Sequence, residues 1–119
     1  MEVKRASADN AALAETAPCP IVRFNALTGG KYKLRILWEL RKDARRYGEI
    51  QRALIIATGG GTITPRVLSR ELKDLVAAHL LARKQYAEVP PRVEYRLTDD
   101  GRAMLGVLRA ICRWAEDAA

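Results

Sequence analysis

Ile63-Thr64-Pro65-Arg66-Val67-Leu68-Ser69-Arg70-Glu71-Leu72-Lys73 begins the stretch, running to Arg102, that decides how this chain folds. Thr64-Pro65 is a helix start. A threonine oxygen can hold free amide groups of the first turn, and proline at the first helical position forfeits no hydrogen bond. Leu68, Leu72, Leu75 and Val76 recur at helical spacing and share one buried stripe. Arg66, Ser69, Arg70 and Lys73 fall at i, i+3, i+4 and i+7 on another face of the same rod. That face gathers three cations and a hydroxyl toward the helix N-terminus, the end by which a helix can enter a DNA major groove. A solvated surface face has the same composition, so this helix does not decide the matter alone.

The segment after this helix adds weight. Leu80 to Tyr86 and Val93 to Leu97 are short runs containing Leu, Tyr and Val, separated by Ala87, Glu88, Val89 and the Pro90-Pro91 pair. Proline lacks an amide donor and biases its predecessor toward extended backbone, so the pair marks a bend or a strand edge. Arg83, Lys84, Arg92 and Arg96 place charge along this hairpin. Thr98-Asp99-Asp100 then starts another helix, with a cap and two acids favoured by the positive end of the dipole. A basic helix followed by a basic hairpin is the arrangement of a winged helix-turn-helix, in which the helix reads the groove and the wing touches neighbouring phosphates.

Five pieces, in order, resemble one family. Gly29-Gly30-Lys31-Tyr32-Lys33-Leu34-Arg35-Ile36-Leu37 is similar to the Gly-Gly-Lys-Trp-Lys helix start of HxlR-type transcriptional regulators, with Tyr32 in place of the Trp. Arg46-Tyr47-Gly48-Glu49-Ile50 resembles the Arg-Phe-x-Glu-Leu of that family. Ile63 to Leu72 resembles its recognition-helix signature, and Val89 to Thr98 followed by Gly101 resembles its wing. Cys19-Pro20-Ile21 looks like the short motif that precedes the first helix. The resemblance runs from about Cys19 to Trp114. It implies a mainly α fold with a small β-hairpin, a winged helix-turn-helix. It also implies duplex DNA as partner, and a homodimer in which the N- and C-terminal helices of two subunits pack together. Some regulators of this type sense oxidants or electrophiles through a Cys at the place of Cys19.

Bulk properties agree. The chain of 119 residues carries a formal charge of +7, and Ile21 to Arg52 alone holds nine Lys or Arg against three acids, a net of +6. Such a balance favours polyanions: DNA, RNA or an anionic membrane. No apolar run approaches the length of a membrane span, and Met1 to Thr16 is interrupted by Asp9, Asn10 and Glu15 rather than carrying a signal-peptide core. Two Cys without an export signal point to the reducing cytoplasm rather than to a disulfide scaffold.

Residues 1–18 are expected to be a flexible arm, with at most a frayed helix over Ala11 to Glu15, and residues 19–117 one DNA-binding domain with dimerising terminal helices. Helices are expected after Pro20, over Lys31 to Arg41 with a stripe of Leu34, Leu37 and Trp38 widened by Ile36 and Leu40, over Tyr47 to Leu54, over Thr64 to Ala78, and from Arg102 toward Glu116. Between Leu54 and Ile63 the chain departs from the family, which has only a tight turn there. Eight residues, Ile55 to Thr62, include Gly59-Gly60-Gly61. Loop closure grows only slowly more costly with length, so the helix faces should survive. The loop is an insertion or a DNA contact, with insertion favoured.

A phosphate-binding loop fails on its own rules, since it needs a Lys followed by Ser or Thr after its last Gly. Gly61 precedes Thr62, while Lys31 precedes Tyr32, and Asn25 stands where the first Gly is required. No catalytic constellation is present, and neither enzyme activity nor a cofactor is expected. Cys19, between Pro18 and Pro20, sits at a helix start, where the dipole and a nearby Arg23 favour thiolate chemistry. It is a sensor, or a free thiol tucked against a dimer contact. Cys112 shares a stripe with Leu105, Leu108 and Ile111 and is expected to be a small buried hydrophobe. His79 has no ligand set around it, so a metal site is not expected; it should end the helix or pack on the wing. Trp38 and Trp114 are assigned to core or interface.

The C-terminal helix is too apolar for a single packing face: Met104, Leu105, Val107, Leu108, Ile111, Cys112 and Trp114 exceed one stripe. Such a helix buries the remainder in a partner. Leu105, Leu108, Ile111 and Cys112 are therefore the expected dimer contact. Arg66 and Arg70 are the candidates for base contacts, Lys31, Ser69, Lys73 and Arg92 are assigned to phosphates, and Thr64 at the helix start is counted among the DNA-binding residues. Two rivals remain: an RNA-binding module, which presents exposed aromatics that only seven aromatic residues hardly supply, and a winged protein-interaction module without DNA readout.

Overall fold

The computed structural model describes residues 19–118; the expected N-terminal arm lies outside them. Five helices and three short strands run in the order α1 (Pro20–Thr28), α2 (Lys33–Glu39), β1 (Arg45–Arg46), α3 (Tyr47–Ala57), α4 (Pro65–Ala77), β2 (Leu81–Tyr86), β3 (Arg92–Leu97) and α5 (Asp99–Ala118). Helices α3 and α4 form the helix-turn-helix, and β2–β3 the wing. The fold is a mainly α winged helix.

The hairpin is one part of a three-stranded antiparallel sheet in the order β1-β3-β2. Arg45 and Arg46 pair with Tyr95 and Glu94 along the free edge of β3. Two basic residues carry no alternating pattern, so β1 leaves no local signal; tertiary pairing alone makes it a strand. In the wing, Leu81 faces Leu97, Arg83 faces Tyr95 and Tyr86 faces Arg92.

One core joins these parts. Ile36, Leu37 and Leu40 of α2 and its end, Ile50 and Leu54 of α3, and Leu68, Leu72 and Leu75 of α4 are essentially inaccessible. Leu81, Leu97, Leu105 and Leu108 close it from the wing and α5. The α2 stripe is thus centred on Ile36, Leu37 and Leu40, with Leu34 and Trp38 partly buried beside it rather than at its middle. Arg41 covers the Trp38 ring at 4.3 Å and donates a hydrogen bond to the Trp38 carbonyl.

Helix ends explain the remaining differences. Helix α3 runs to Ala57, so three of the eight inserted residues are helical. Gly59, at φ +74°, then turns the chain left-handed. Its amide bonds the Ile56 carbonyl and the Gly60 amide that of Ile55, the paired bonds of a Schellman stop. Helix α4 ends in the same way. His79 takes φ +64°, its amide bonds the Val76 carbonyl, and the Leu80 amide bonds that of Leu75. His79 therefore ends the helix, one of its two expected roles. Thr98 locks this turn to α5: its hydroxyl donates to the His79 carbonyl at 2.6 Å and accepts the Gly101 amide at 3.0 Å.

Candidate nucleic-acid interface

Helix α4 presents two opposed faces. Its inward face is Leu68, Leu72 and Leu75, with Val76 partly buried. Its outward face holds Arg66, Ser69, Arg70 and Lys73, all exposed, and none of these three cations has a salt-bridge partner among the described residues. The helix begins where the Thr64 side chain accepts the Val67 amide at 3.2 Å, with Pro65 in the first turn. Thr64 thus serves as the cap that sets where the basic face begins. The Tyr47 hydroxyl on α3 donates to the Pro65 carbonyl at 3.0 Å and lies 3.4 Å from the Ser69 hydroxyl, tying the start of α4 to its neighbour.

A buried ion pair positions the same helix. Glu71 of α4 is only 4% exposed, though it lies on the helix between Arg70 and Leu72. Lys33 of α2, 12% exposed at its side chain, pairs with it and reaches Asp74 Oδ2 at 3.2 Å. Burial by itself lowers the Lys33 pKa, but hydrogen bonds to Glu71 and Asp74 and the attraction of their charges outweigh that, so the net direction is up. Gly30, at φ +106°, brings the backbone against this pair, and a Cβ there would lie 3.3 Å from Glu71 Oε2. The Gly29-Gly30-Lys31-Tyr32-Lys33 segment is therefore the clamp for α4. Sequence reasoning missed both Lys33 and Glu71. The available signal was an acid with leucines at i−3, i+1 and i+4, which places it beside the apolar stripe.

The other assigned residues are less uniform. Lys31 is exposed, its ammonium 5.5 Å from the Tyr32 ring centre. Arg92 is occupied within the wing. Its guanidinium lies 3.0 Å from Glu88 Oε2, 3.8 Å from Glu94 Oε2 and 3.9 Å from the Tyr86 ring centre. Tyr86 in turn donates to Glu94 Oε1 at 3.1 Å. The charge of Arg92 is thus met by two carboxylates rather than held out for a phosphate. Glu88 reaches it from across the Pro-Pro bend, while Glu94 is two residues on along the same strand and so on the same face.

Between α4 and the wing lies an open cleft of about 440 Å³, with Ser69, Lys73 and Val76 on one wall and Arg83 and Tyr95 on the other, closed at one end by Tyr47. Sequence reasoning assigned Arg83 to the hairpin without a role.

Cys19 is exposed and caps α1, its Sγ accepting the Ile21 amide at 3.4 Å. The α5 stripe divides in two. Leu105 and Leu108 lie in the chain's own core, whereas Val107, Ile111 and Trp114 are exposed at 44%, 42% and 72%. Cys112 is exposed too, which corrects its expected burial. Beyond Leu108 no residue of α5 is buried, because the helix extends past the body that covers its first half.

Transcriptional regulators are similar to this chain in sequence and in fold. An HTH-type transcriptional regulator of Halalkalibacterium halodurans is 42% identical over 90 residues, covering 75% of this chain and 74% of the relative. A MarR-family transcriptional regulator from Porphyromonas gingivalis W83 superposes with a TM-score of 0.76 at 35% identity, covering 87% of this chain and 95% of that one. The oxidised form of the redox regulator HypR superposes with a TM-score of 0.72 at 31% identity, covering 83% and 96%. Residues 27–119 match the HxlR-like helix-turn-helix family. This chain belongs to that family of winged-helix transcriptional regulators.

Proposed function

We propose that the protein regulates transcription by binding a specific duplex DNA sequence as a homodimer, with α4 in the major groove. The observation that carries this reading is the outward face of α4, where Arg66, Ser69, Arg70 and Lys73 stand exposed while the opposite face is sealed in the core. Arg66 and Arg70 pair with base edges, since a guanidinium can bond guanine bidentately. Ser69, Lys73 and Lys31 hold phosphates, and Thr64 fixes the helix start that sets their register. Val107, Ile111 and Trp114 at spacings of four and three form one apolar stripe on α5, and Ile21 and Val22 are exposed on α1. A second copy covers both. Twofold symmetry then sets two α4 helices in successive major grooves, with half-sites about 10 base pairs apart.

Equilibrium binding of the reduced protein to duplex from its own upstream region, beside a scrambled duplex at several salt concentrations, tests this. The expected result is tighter binding to the native duplex at every salt concentration. Weak, equal and steeply salt-dependent binding to both would show charge without readout, and preference for single-stranded RNA would favour the RNA-binding alternative.

A redox response at Cys19 is supported by its exposed thiol at the α1 N-cap and by the likeness to HypR. Cys19→Ser should abolish any loss of DNA affinity caused by oxidants or aldehydes. Undiminished sensitivity in that variant would remove Cys19 from the mechanism.

A further inference from the structure

The wing carries four cations, Arg83, Lys84, Arg92 and Arg96, and strand geometry separates them. Residues directly opposite in an antiparallel pair share a face, and successive residues alternate. Arg83 pairs with Tyr95, Lys84 with Glu94, Ala82 with Arg96 and Tyr86 with Arg92. Arg83 and Tyr95 therefore share one face, while Lys84, Arg92 and Arg96 lie on the other with Glu94 and Tyr86. The Arg83 face is the one turned toward α4, as the residues lining the cleft show. On the far face, Lys84 lies 4.9 Å from the Tyr86 ring centre and Arg92 is paired with Glu88 and Glu94. Arg83 has no salt-bridge partner among the described residues.

The polar groups of the cleft share one chemistry. Lys73 and Arg83 bring a cation from each wall, Ser69 and Tyr95 bring hydroxyls, Val76 and Ala77 form an apolar floor, and no carboxylate lines it. An acceptor-rich anion suits such a lining, and Arg is suited to phosphate because its planar fork can donate two parallel hydrogen bonds. Resting on the proposed DNA-binding mode, we infer that this cleft seats a backbone phosphodiester of the bound duplex between Lys73 and Arg83. Arg83 is then the phosphate contact of the wing, and Arg92 is an internal strut that holds the wing's shape.

Binding of wild type, Arg83→Gln, Arg83→Lys and Arg92→Gln to the native and scrambled duplexes across a salt series tests the assignment, with thermal unfolding confirming that each variant is folded. Arg83→Gln is expected to weaken both duplexes alike, on the order of tenfold. It should also make the dependence of log affinity on log salt shallower by about 0.9 per cleft, with Arg83→Lys keeping the wild-type slope. Arg92→Gln is expected to lower the unfolding temperature and leave the slope unchanged. A wild-type slope in Arg83→Gln, or an equal flattening in Arg92→Gln, overturns the assignment while leaving DNA binding intact. Wild type that ignores the native duplex overturns the DNA-binding reading and this one with it. Inorganic phosphate, titrated at constant ionic strength, separates the two sources of such an anion. No displacement of DNA is expected, and saturable displacement lost in Arg83→Gln would assign the cleft to free phosphate instead.

Discussion

Glu71 lies beside a leucine stripe and is nearly as hidden as its neighbours, 4% exposed against 1% for Leu72. A carboxylate so placed persists only because Lys33 meets it from α2. Removing Lys33 leaves the Glu71 carboxylate buried without its partner, whereas Lys33 without Glu71 would still have Asp74. Lys33→Met should therefore destabilise by about 3–5 kcal/mol, while Lys33→Met with Glu71→Met should recover most of that loss, as urea unfolding of both variants will show. The pH dependence is set by the direction of the lysine's shift. A raised pKa in the folded protein means that its contribution is complete below the unfolded value and fades as pH rises through the folded one. The stability gap between wild type and Lys33→Met should thus hold near neutrality and narrow only at strongly alkaline pH. Gly101 is a second single-residue constraint. A Cβ there would meet the Leu80 carbonyl oxygen at 2.2 Å and Leu97 Cδ2 at 3.2 Å. Gly101→Ala should lower stability by about 1–3 kcal/mol, because the crowding is against backbone at the joint between α5 and the wing. An unfolding midpoint matching wild type would contradict that packing.

Helix α4 is the most legible element because independent signals agree on it: a Thr cap, a Pro in the first turn, a leucine stripe and a segregated basic face. Thr64→Ala, which removes the acceptor for the Val67 amide, should cost about 1 kcal/mol in chemical unfolding, and an unchanged midpoint would count against the cap. Signals of this kind are local, and the misses occur where structure is not. Strand β1 exists only through its pairing with β3, and the Lys33–Glu71 pair joins residues on different helices. Arg92 is a different kind of miss, since Glu88 and Glu94 at i−4 and i+2 lie near it in sequence and strand alternation already puts Glu94 on its face. The glycine run reads as a soft insertion, although a helix-forming stretch ending in Thr58-Gly59 carries the usual stop signal, and the structure uses it as one. The excess of apolar residues on α5 over one packing face is plain from its sequence. Its division into Leu105 and Leu108 inside and Ile111 and Cys112 outside depends on where the body of the protein ends.

Across the whole molecule, basic α4, the wing and the cleft between them make up the face assigned to DNA, while the exposed apolar residues of α1 and α5 make up the surface assigned to a second copy. Among the described residues no helix is long and apolar enough to cross a membrane. The exposed stripe of Val107, Ile111 and Trp114 is the surface proposed for the second copy. If the proposed homodimer forms through α5, Ile111→Glu should convert it to monomer in sedimentation at micromolar concentration. It should weaken binding to a two-half-site duplex far more than to a single half-site, and an unchanged sedimentation profile would contradict the assigned interface. Sequence reading by α4, as proposed, depends above all on Arg70. Affinities of wild type and Arg70→Ala should be compared on native, single-substituted and scrambled duplexes. A loss of about 1–3 kcal/mol is expected on the native duplex, with discrimination relaxed at one position and little change on scrambled DNA. Equal losses on native and scrambled DNA would contradict it.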